Sequence, residues 1–184
     1  DRCFFCRCGT NIAGFLDVPN IVEYVKTLPN VVFAEDNLFS CSQDTQEQIT
    51  QIIKEQNLNR VVVAACTPRT HESLFQETVL NAGINKYLFE MANIRNQCSW
   101  VHSSQNEEAT AKAIDLVRMA VSKVSLLQPL TDPEIRMNQS ALVIGGGLSG
   151  ITAAKNLAQQ GYFTHLVEKS DVLGGQALNL YETW

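Results

Sequence analysis

The sequence lacks the features that draw proteins to nucleic acids or into membranes. Acidic residues outnumber basic ones by 19 to 14, which gives a formal net charge of −5. The Lys and Arg residues are scattered, so no basic patch is available to gather a phosphate backbone. No apolar run approaches the roughly 20 residues that a membrane helix needs, and the N-terminus has no signal-peptide pattern. We therefore expect a cytoplasmic protein with no membrane span and no nucleic-acid partner.

Cysteine is missing from the chain beyond residue 98. The six cysteines fall at positions 3, 6, 8, 41, 66 and 98. A secreted disulfide scaffold is usually loop-rich, whereas these cysteines punctuate an alternation of strand and helix patterns. In a reducing cytosol, this distribution indicates metal, cluster or redox chemistry.

Hydrophobic residues make up 45% of the chain, and their spacing alternates between the strand and helix periods. Strands are predicted at residues 3–6, 31–34, 60–65 and 87–91, and helices at residues 18–27, 44–56, 70–81, 94–100 and 107–127. Connections in this order imply right-handed crossovers between parallel strands. The predicted fold class is therefore α/β, with a mostly parallel, Rossmann-like sheet in the N-terminal domain.

A polar, proline-containing stretch divides the chain. Pro129 and Pro133 interrupt the helical pattern, and the residues just before Ser140 are polar and turn-prone. We expect a cysteine-containing domain at residues 1–130, a linker at 131–139 and the beginning of a second Rossmann-type unit, which binds FAD, at 140–184. Because the chain starts inside a strand-like run and stops after a second glycine pair, we also expect it to be a fragment.

A glycine turn follows the strand predicted at residues 141–144. Gly145, Gly147 and Gly150 complete the pattern G-x-G-x-x-G. Gly145 allows the tight turn, Gly147 lets a pyrophosphate approach the backbone, and Gly150 lets the helix pack closely on the strand. Leu148 and Ser149 open the following helix, whose free N–H groups would face the phosphates. The pattern predicts a dinucleotide site, and the alternative is a plain structural corner.

The residues after the next predicted strand, at 163–167, narrow the choice of nucleotide. Glu168 stands at the strand end, where a carboxylate can accept hydrogen bonds from ribose hydroxyls. The 2′-phosphate of NADP would need a basic partner here, and Lys169 is the only basic residue that follows directly. NADP is therefore disfavoured. FAD and NAD share this spacing. Gly174 and Gly175 end a Leu-Gly-Gly turn that is similar to the pattern of two-dinucleotide-binding flavoproteins, which favours FAD.

Five cysteines follow the carboxyl ends of predicted strands, namely Cys6, Cys8, Cys41, Cys66 and Cys98. If the sheet is parallel, those ends meet at one edge, so cysteines distant in sequence become neighbours. Four thiolates there suit a [4Fe–4S] cluster or a four-cysteine zinc site. The spacing is not that of ferredoxins or zinc ribbons, and buried cysteines often serve as small hydrophobic residues. Cys3, inside a strand, fits that second interpretation best.

Several stretches of the chain are long and specific enough to compare with known families. They are C-R-C-G-T-N-I (6–12), V-V-V-A-A-C-T-P-R-T-H-E (61–72), Y-L-F-E-M-A-N-I-R (87–95), Q-C-S-W-V-H (97–102) and A-L-V-I-G-G-G-L-S-G (141–150). Together they resemble the amino-terminal portion of the A subunit of heterodisulfide reductase. The resemblance extends over essentially the whole chain.

This resemblance implies a cytoplasmic flavin and iron–sulfur protein that passes electrons within a multi-subunit complex. The implied partners are other heterodisulfide reductase subunits, a hydrogenase or formate dehydrogenase module, and ferredoxin, in the setting of methanogenesis. The flavin of such proteins splits electron pairs between a low-potential ferredoxin and a higher-potential acceptor. No catalytic residue can be assigned in this chain, and its fragment of the FAD domain is not expected to bind FAD tightly alone.

The resemblance also implies which residues hold the cofactors. The implied ligands of a [4Fe–4S] cluster are Cys8, Cys41, Cys66 and Cys98, with Cys6 as the main competitor for a place. The expected FAD contacts are Gly145, Gly147, Leu148, Ser149, Gly150, Glu168, Lys169, Gly174 and Gly175. No ferredoxin-like C-x-x-C-x-x-C motif is present in this sequence.

Two other functions remain open from the sequence. In one, the N-terminal domain is a protein-docking module with structural cysteines, fused to a generic FAD-dependent pyridine-nucleotide-disulfide oxidoreductase. In the other, the protein is a plain disulfide oxidoreductase with a redox C-x-x-C. Cys3 and Cys6 have that spacing, but they lie partly inside a predicted strand, which disfavours this function.

Overall fold

The computed structural model describes residues 2–181. It divides the chain into two compact units, residues 1–131 and 132–184. Residues 127–139, between the last helix of the first unit and the first strand of the second, form neither helix nor strand. Within the described residues, no helix is both long and apolar enough to cross a membrane.

The first unit is a four-stranded sheet covered by helices. Its strands are β1 (Arg2–Cys6), β2 (Phe33–Asn37), β3 (Val61–Ala65) and β4 (Phe89–Asn93), and its helices are α1 (Thr10–Ala13), α2 (Val18–Lys26), α3 (Gln43–Glu55), α4 (Pro68–Asn81) and α5 (Asn106–Leu126). A π-helical turn (Arg95–Ser99) follows β4. The strand order is β2-β1-β3-β4 and every pairing is parallel. The predicted α/β fold with a parallel sheet is confirmed.

The sheet is buried on both faces, as a parallel sheet between helices must be. Every residue of β3 is buried, and its side chains alternate between two core layers. Phe5 lies with α2 and α5 in one layer, while Phe4 lies with α3 and α4 in the other. The continuous apolar run in β3, rather than an alternating one, follows from this double burial.

Asp17 caps the start of α2. The Asp17 carboxylate accepts the N–H of Asn20 at 3.1 Å, which satisfies one of the free donors at the first turn. The backbone N–H of Asp17 in turn donates to the hydroxyl of Thr110 on α5 at 3.1 Å. The cap therefore joins α2 to α5 as well as starting the helix.

Two strands begin later than the sequence pattern predicts. The strand β2 begins at Phe33 instead of residue 31, because Asn30 adopts a left-handed conformation with φ of 68° and prolongs the turn. The strand β4 begins at Phe89 instead of residue 87, because Asn85 Oδ1 accepts the N–H of Tyr87 at 3.0 Å and holds a turn. Both displacements come from asparagine, which favours local turn bonds over extended chain.

The second unit is a short β–α–β arrangement. It contains β5 (Ser140–Ile144), α6 (Leu148–Gln159), β6 (Phe163–Val167) and a 3₁₀ turn (Gly175–Asn179). The strands β5 and β6 pair in parallel, with Ser140 opposite Phe163 and Ile144 opposite Val167. The predicted strand, glycine turn, helix and second strand are confirmed within one or two residues.

Phe5 offers a test of the double-sided core. The change Phe5→Ala removes a fully buried ring from the α2/α5 layer, and we expect it to lower the free energy of unfolding by about 3–5 kcal/mol. Leu126→Ala, at a side chain that is 79% exposed, should change it by less than about 0.5 kcal/mol. Urea denaturation followed by circular dichroism measures both. Equal effects of the two variants would contradict the assigned core.

Candidate functional site

Parallel pairing aligns the carboxyl ends of the four strands of the first unit. Cys6 is the last residue of β1 and lies opposite Asn37 of β2. Ala65, the last residue of β3, lies opposite Asn93 of β4, and Cys66 follows it directly. The residues just beyond these positions therefore share one edge of the sheet.

Several cysteines lie near this edge: Cys6 and Cys66 belong to one core layer and Cys8 packs against it, while Cys41 follows Ser40, whose N–H donates to Cys6. Burial raises the pKa of Cys66, the positive charge of Arg95 opposes that shift, and the thiols of Cys6, Cys8 and Cys41 raise it further. We call the group Cys6, Cys8, Cys41 and Cys66 the thiol edge.

Backbone N–H groups surround the sulfur of Cys6. It accepts the N–H of Ser40 at 3.4 Å, and the N–H of Cys8 also donates to it. Its thiol faces the carbonyl of Leu38 at 3.9 Å. Burial raises the pKa of Cys6, while these N–H bonds oppose the rise because they favour a negatively charged sulfur. N–H donors of this kind also stabilise the sulfurs of iron–sulfur clusters.

Cys8 occupies a left-handed turn. Its φ is 46° and that of Gly9 is 54°, and the ring of Phe39 lies 3.7 Å from where a β-carbon on Gly9 would be. A non-glycine residue at positive φ costs about 1–3 kcal/mol, so such positions concentrate at functional sites. The turn holds Cys8 half-buried between the two core layers, at the beginning of α1.

Cys98 lies in a different core layer from Cys6 and Cys66. It is fully buried in the α2/α5 layer, and burial raises its pKa to about 11, against the opposing charge of Lys112. It stands in the π-helical turn (Arg95–Ser99), a rare conformation that is found mostly at functional sites. The predicted set of Cys8, Cys41, Cys66 and Cys98 thus has three members on the thiol edge and a fourth in the adjacent core.

Cys3 is a core residue. It is fully buried inside β1, and burial raises its pKa to about 12. Cys3 and Cys6 belong to opposite core layers, and three residues of extended strand separate their Cα atoms by about 10 Å. A disulfide needs Cα atoms within about 7 Å, so this C-x-x-C is not a redox pair.

The donor chemistry of the thiol edge suits a cluster. Within residues 2–181, no three His, Cys, Asp or Glu side chains already stand in metal-binding geometry, so binding would require the thiols to turn toward one another. Thiolate ligands select zinc, copper(I) or iron–sulfur clusters over hard cations. With soft sulfur donors and N–H groups aimed at Cys6, an iron–sulfur cluster fits the residues present.

The glycine turn of the second unit is shaped by close backbone approaches. Gly145 has φ of 108° and donates its N–H to the carbonyl of Val167 at 2.7 Å. A β-carbon on Gly150 would stand 1.7 Å from the carbonyl oxygen of Gly145, whereas one on Gly147 would meet nothing within 4 Å. Gly150 is therefore required by the packing of α6, while the space over Gly147 is free for a ligand.

A second loop closes on this turn. Gly174, with φ of 122°, donates its N–H to the carbonyl of Gly146 at 2.7 Å. A β-carbon on Gly175 would stand 3.1 Å from the Cα of Gly147. Together the two loops border a groove of about 570 Å³, a volume typical of cofactor sites. Its lining residues are Ile144, Gly145, Gly147, Leu148, Ser149, Gly150, Gln176, Ala177 and Leu180.

Glu168 is fixed by hydrogen bonds at the end of β6. One carboxylate oxygen accepts the N–H of Gly146 at 2.5 Å. The other accepts the N–H groups of Lys169 and Ser170 and the hydroxyl of Ser170. These bonds, led by the one from Gly146, lower the pKa of Glu168 to about 2. Glu168 is thus ionised and oriented beside the glycine turn, as an acceptor for ribose hydroxyls must be.

The fold and the two sites define a class of protein. Its members combine an α/β unit that carries several cysteines at one sheet edge with a Rossmann-type dinucleotide-binding unit. In agreement, a family of NAD(P)-binding Rossmann-like domains matches residues 143–180. This match covers the glycine turn, Glu168 and the Leu-Gly-Gly loop.

Curated relatives narrow the class to one family. The chain is 50% identical over 181 residues to a protein of Archaeoglobus profundus that is described as similar to the A subunit of heterodisulfide reductase, a match that covers 98% of this chain and 26% of that protein. It is 51% identical to the second of two iron–sulfur A subunits of the CoB–CoM heterodisulfide reductase of Methanopyrus kandleri. It is 49% identical to the A subunit of the H₂:CoB–CoM heterodisulfide,ferredoxin reductase of Methanothermobacter marburgensis. Each of these last two matches covers 98% of this chain and 28% of the relative.

Over 98% of its length, the chain is therefore homologous to proteins named as heterodisulfide reductase A subunits. It spans about a quarter of the length of the curated relatives that it matches. The resemblance seen in the sequence motifs is confirmed.

Sequence reasoning missed two features of the thiol edge. The N–H of Ser40 that donates to Cys6 leaves no signal in the sequence, because any residue but proline carries that donor. Arg95 approaches Cys8 with its guanidinium, although 87 residues separate the two in sequence. A charged residue close to a cysteine motif gives only a weak signal, since most such residues form ordinary solvated pairs.

Glu168 gives a pH-dependent prediction. Because its pKa falls from an ordinary 4.5 to about 2, its bonds to the turn are fully present above about pH 4.5 and are lost as the pH falls through about 2. The amide proton shift of Gly146, followed by NMR, should titrate with a midpoint near 2. Glu168→Gln should abolish that step. A midpoint near 4.5 would show that the carboxylate does not hold the turn.

Proposed function

We propose that this chain is part of a flavin- and iron–sulfur-dependent electron-transfer subunit, in which the second unit binds FAD and the first binds a [4Fe–4S] cluster. The observation that carries the proposal is the thiol edge, where the sheet brings Cys6, Cys8 and Cys66 to the same core layer and Ser40, next to Cys41, donates its N–H to Cys6. The name of the Methanopyrus kandleri relative, an iron–sulfur subunit, supports it.

The residues of each unit divide the work of electron transfer. When bound, a flavin exchanges electron pairs, whereas a cluster exchanges single electrons. The N-terminus of α6 and the free space over Gly147 would receive the pyrophosphate, and Glu168 would orient the ribose. The thiolates of the edge would hold the cluster, and the N–H groups around Cys6 would stabilise sulfur charge.

Three of the ligands that the family resemblance implies also belong to the thiol edge, namely Cys8, Cys41 and Cys66. The fourth comes from Cys6 or from Cys98. Cys6 shares the thiol edge and already accepts N–H bonds. Cys98 stands in the π-helical turn (Arg95–Ser99), whose Arg95 reaches Cys8. Both thiols are buried, and they differ in the core layer to which they belong: Cys6 lies in the α3/α4 layer and Cys98 in the α2/α5 layer.

The partners follow from the names of relatives. One relative is described as using H₂, CoB–CoM heterodisulfide and ferredoxin, and another as depending on ferredoxin or F₄₂₀H₂. We extend this setting to the present chain. It would act in the cytoplasm with other heterodisulfide reductase subunits, ferredoxin, and a hydrogenase or formate dehydrogenase module, with the flavin splitting electron pairs in methanogenesis.

Cluster loading of the full chain tests the proposal. After anaerobic incubation with iron and sulfide, the protein should show visible absorption and, once reduced, an EPR signal. Cys66→Ala should lose both, whereas Cys3→Ala, which removes a core thiol, should retain them. Whichever of Cys6→Ala and Cys98→Ala loses the signal identifies the fourth ligand. No signal in the unaltered chain, or none lost in Cys66→Ala, would favour a docking module with structural cysteines.

Two glycine variants test the flavin site in a full-length protein that carries this sequence. Gly147→Val should release FAD without unfolding the unit, because its β-carbon meets nothing within 4 Å but would occupy the path of the pyrophosphate. Gly150→Ala should lose both FAD and thermal stability, because its β-carbon would collide with the carbonyl of Gly145. Flavin fluorescence and melting temperature measure the two effects. Retention of flavin in Gly147→Val would exclude this groove as the binding site.

A further inference from the structure

Arg95 lies between the thiol edge and an aromatic ring. Its Nη1 is 3.8 Å from the sulfur of Cys8 and donates to it. Its guanidinium carbon lies 4.5 Å from the centre of the Trp100 ring, and its Nε donates to Asn96 Oδ1 at 3.2 Å. The guanidinium is therefore held from three sides, with one N–H group committed to a cysteine sulfur.

The charge of Arg95 is not neutralised by a carboxylate. In the part of the chain that the structure describes, the ion pairs of arginine join Arg7 to Asp36 and Arg118 to Asp115, and none includes Arg95. Its charge acts instead on sulfur, through the N–H that it donates to Cys8. Arg95 thus places a positive charge beside a thiol of the edge.

Trp100 explains how the guanidinium keeps its position. The ring is half exposed, and an arginine over the face of a tryptophan gains a cation–π attraction as well as stacking. Lysine in the same place would keep the charge but lose the planar fork and the stacking. The contact to Cys8 therefore depends on both the charge of Arg95 and the ring of Trp100.

We propose that Arg95 is a positioning residue that raises the reduction potential of the cluster held at the thiol edge. The inference rests on the proposed cluster. Reduction adds one electron to an assembly of cluster and thiolates that is already negative, and no bond is made or broken. A fixed positive charge and an N–H bond to one ligand sulfur favour the more negative, reduced form. Their removal favours the oxidised form.

The test is an anaerobic redox titration of the full, cluster-loaded chain, followed by EPR. In Arg95→Gln, the ratio of reduced to oxidised cluster at a fixed potential should fall about tenfold, equivalent to about 59 mV for a one-electron couple. Arg118→Gln removes the same charge from an exposed ion pair on α5 and should titrate as the unaltered chain. Arg95→Lys and Trp100→Leu should each shift the ratio in the same direction by a smaller factor.

The outcomes separate this inference from the proposed function. If all variants load the cluster and Arg95→Gln titrates as the unaltered chain, the role of Arg95 is refuted and the cluster stands. An equal shift in Arg118→Gln also refutes it, because net charge alone would then be responsible. If Arg95→Gln does not bind the cluster, the other two variants decide. Reduction potentials of Arg95→Lys and Trp100→Leu that both equal that of the unaltered chain would refute the role of Arg95. A lack of any cluster in the unaltered chain removes both proposals.

Discussion

The parallel pairing of β1 with β3 is the constraint on which the thiol edge depends. Parallel strands begin and end together, and the register of Arg2 with Val61 through Phe5 with Ala64 leaves Cys6 and Cys66 just past the last paired row. An antiparallel neighbour would send one of these cysteines to the opposite edge of the sheet. Each crossover also runs through a helix that covers a face, so the same topology that gathers the thiols buries the strands that carry them.

Residue pattern predicted the strands and the longer helices, but not the short helix α1 or the local geometry of the site. The apolar run of β3 and the helical spacing of α2 are signals that depend on neighbours in sequence, and both elements were predicted. The left-handed conformation of Cys8 was not, because a non-glycine residue rarely adopts it. The contact between Arg95 and Cys8 was missed for another reason: it depends on how β4 is followed by the π-helical turn (Arg95–Ser99), and hydrophobic period does not distinguish a π-helix from an α-helix.

Two glycines of the turn, Gly147 and Gly150, differ in whether the fold itself requires a glycine at that position. In the sequence, Gly147 and Gly150 are equivalent members of one pattern. In the structure, only Gly150 is forced by its neighbours, since the carbonyl of Gly145 occupies the place of a β-carbon. Gly147 has an extended conformation with φ of −76° and free space above it, so folding alone gives no reason for a glycine there. The proposed dinucleotide would account for the glycine, because its pyrophosphate would approach the backbone at this position.

Local charge, rather than net charge, decides how a cluster would behave at the thiol edge. The chain carries a formal charge of −5, which taken alone would oppose further negative charge. Interactions between exposed charges are largely screened beyond about 8 Å at physiological salt. Arg95, at 3.8 Å from Cys8, acts within that distance and has no carboxylate partner among the described ion pairs. An acidic protein can therefore hold a reducible, anionic centre, provided that one cation is fixed beside it.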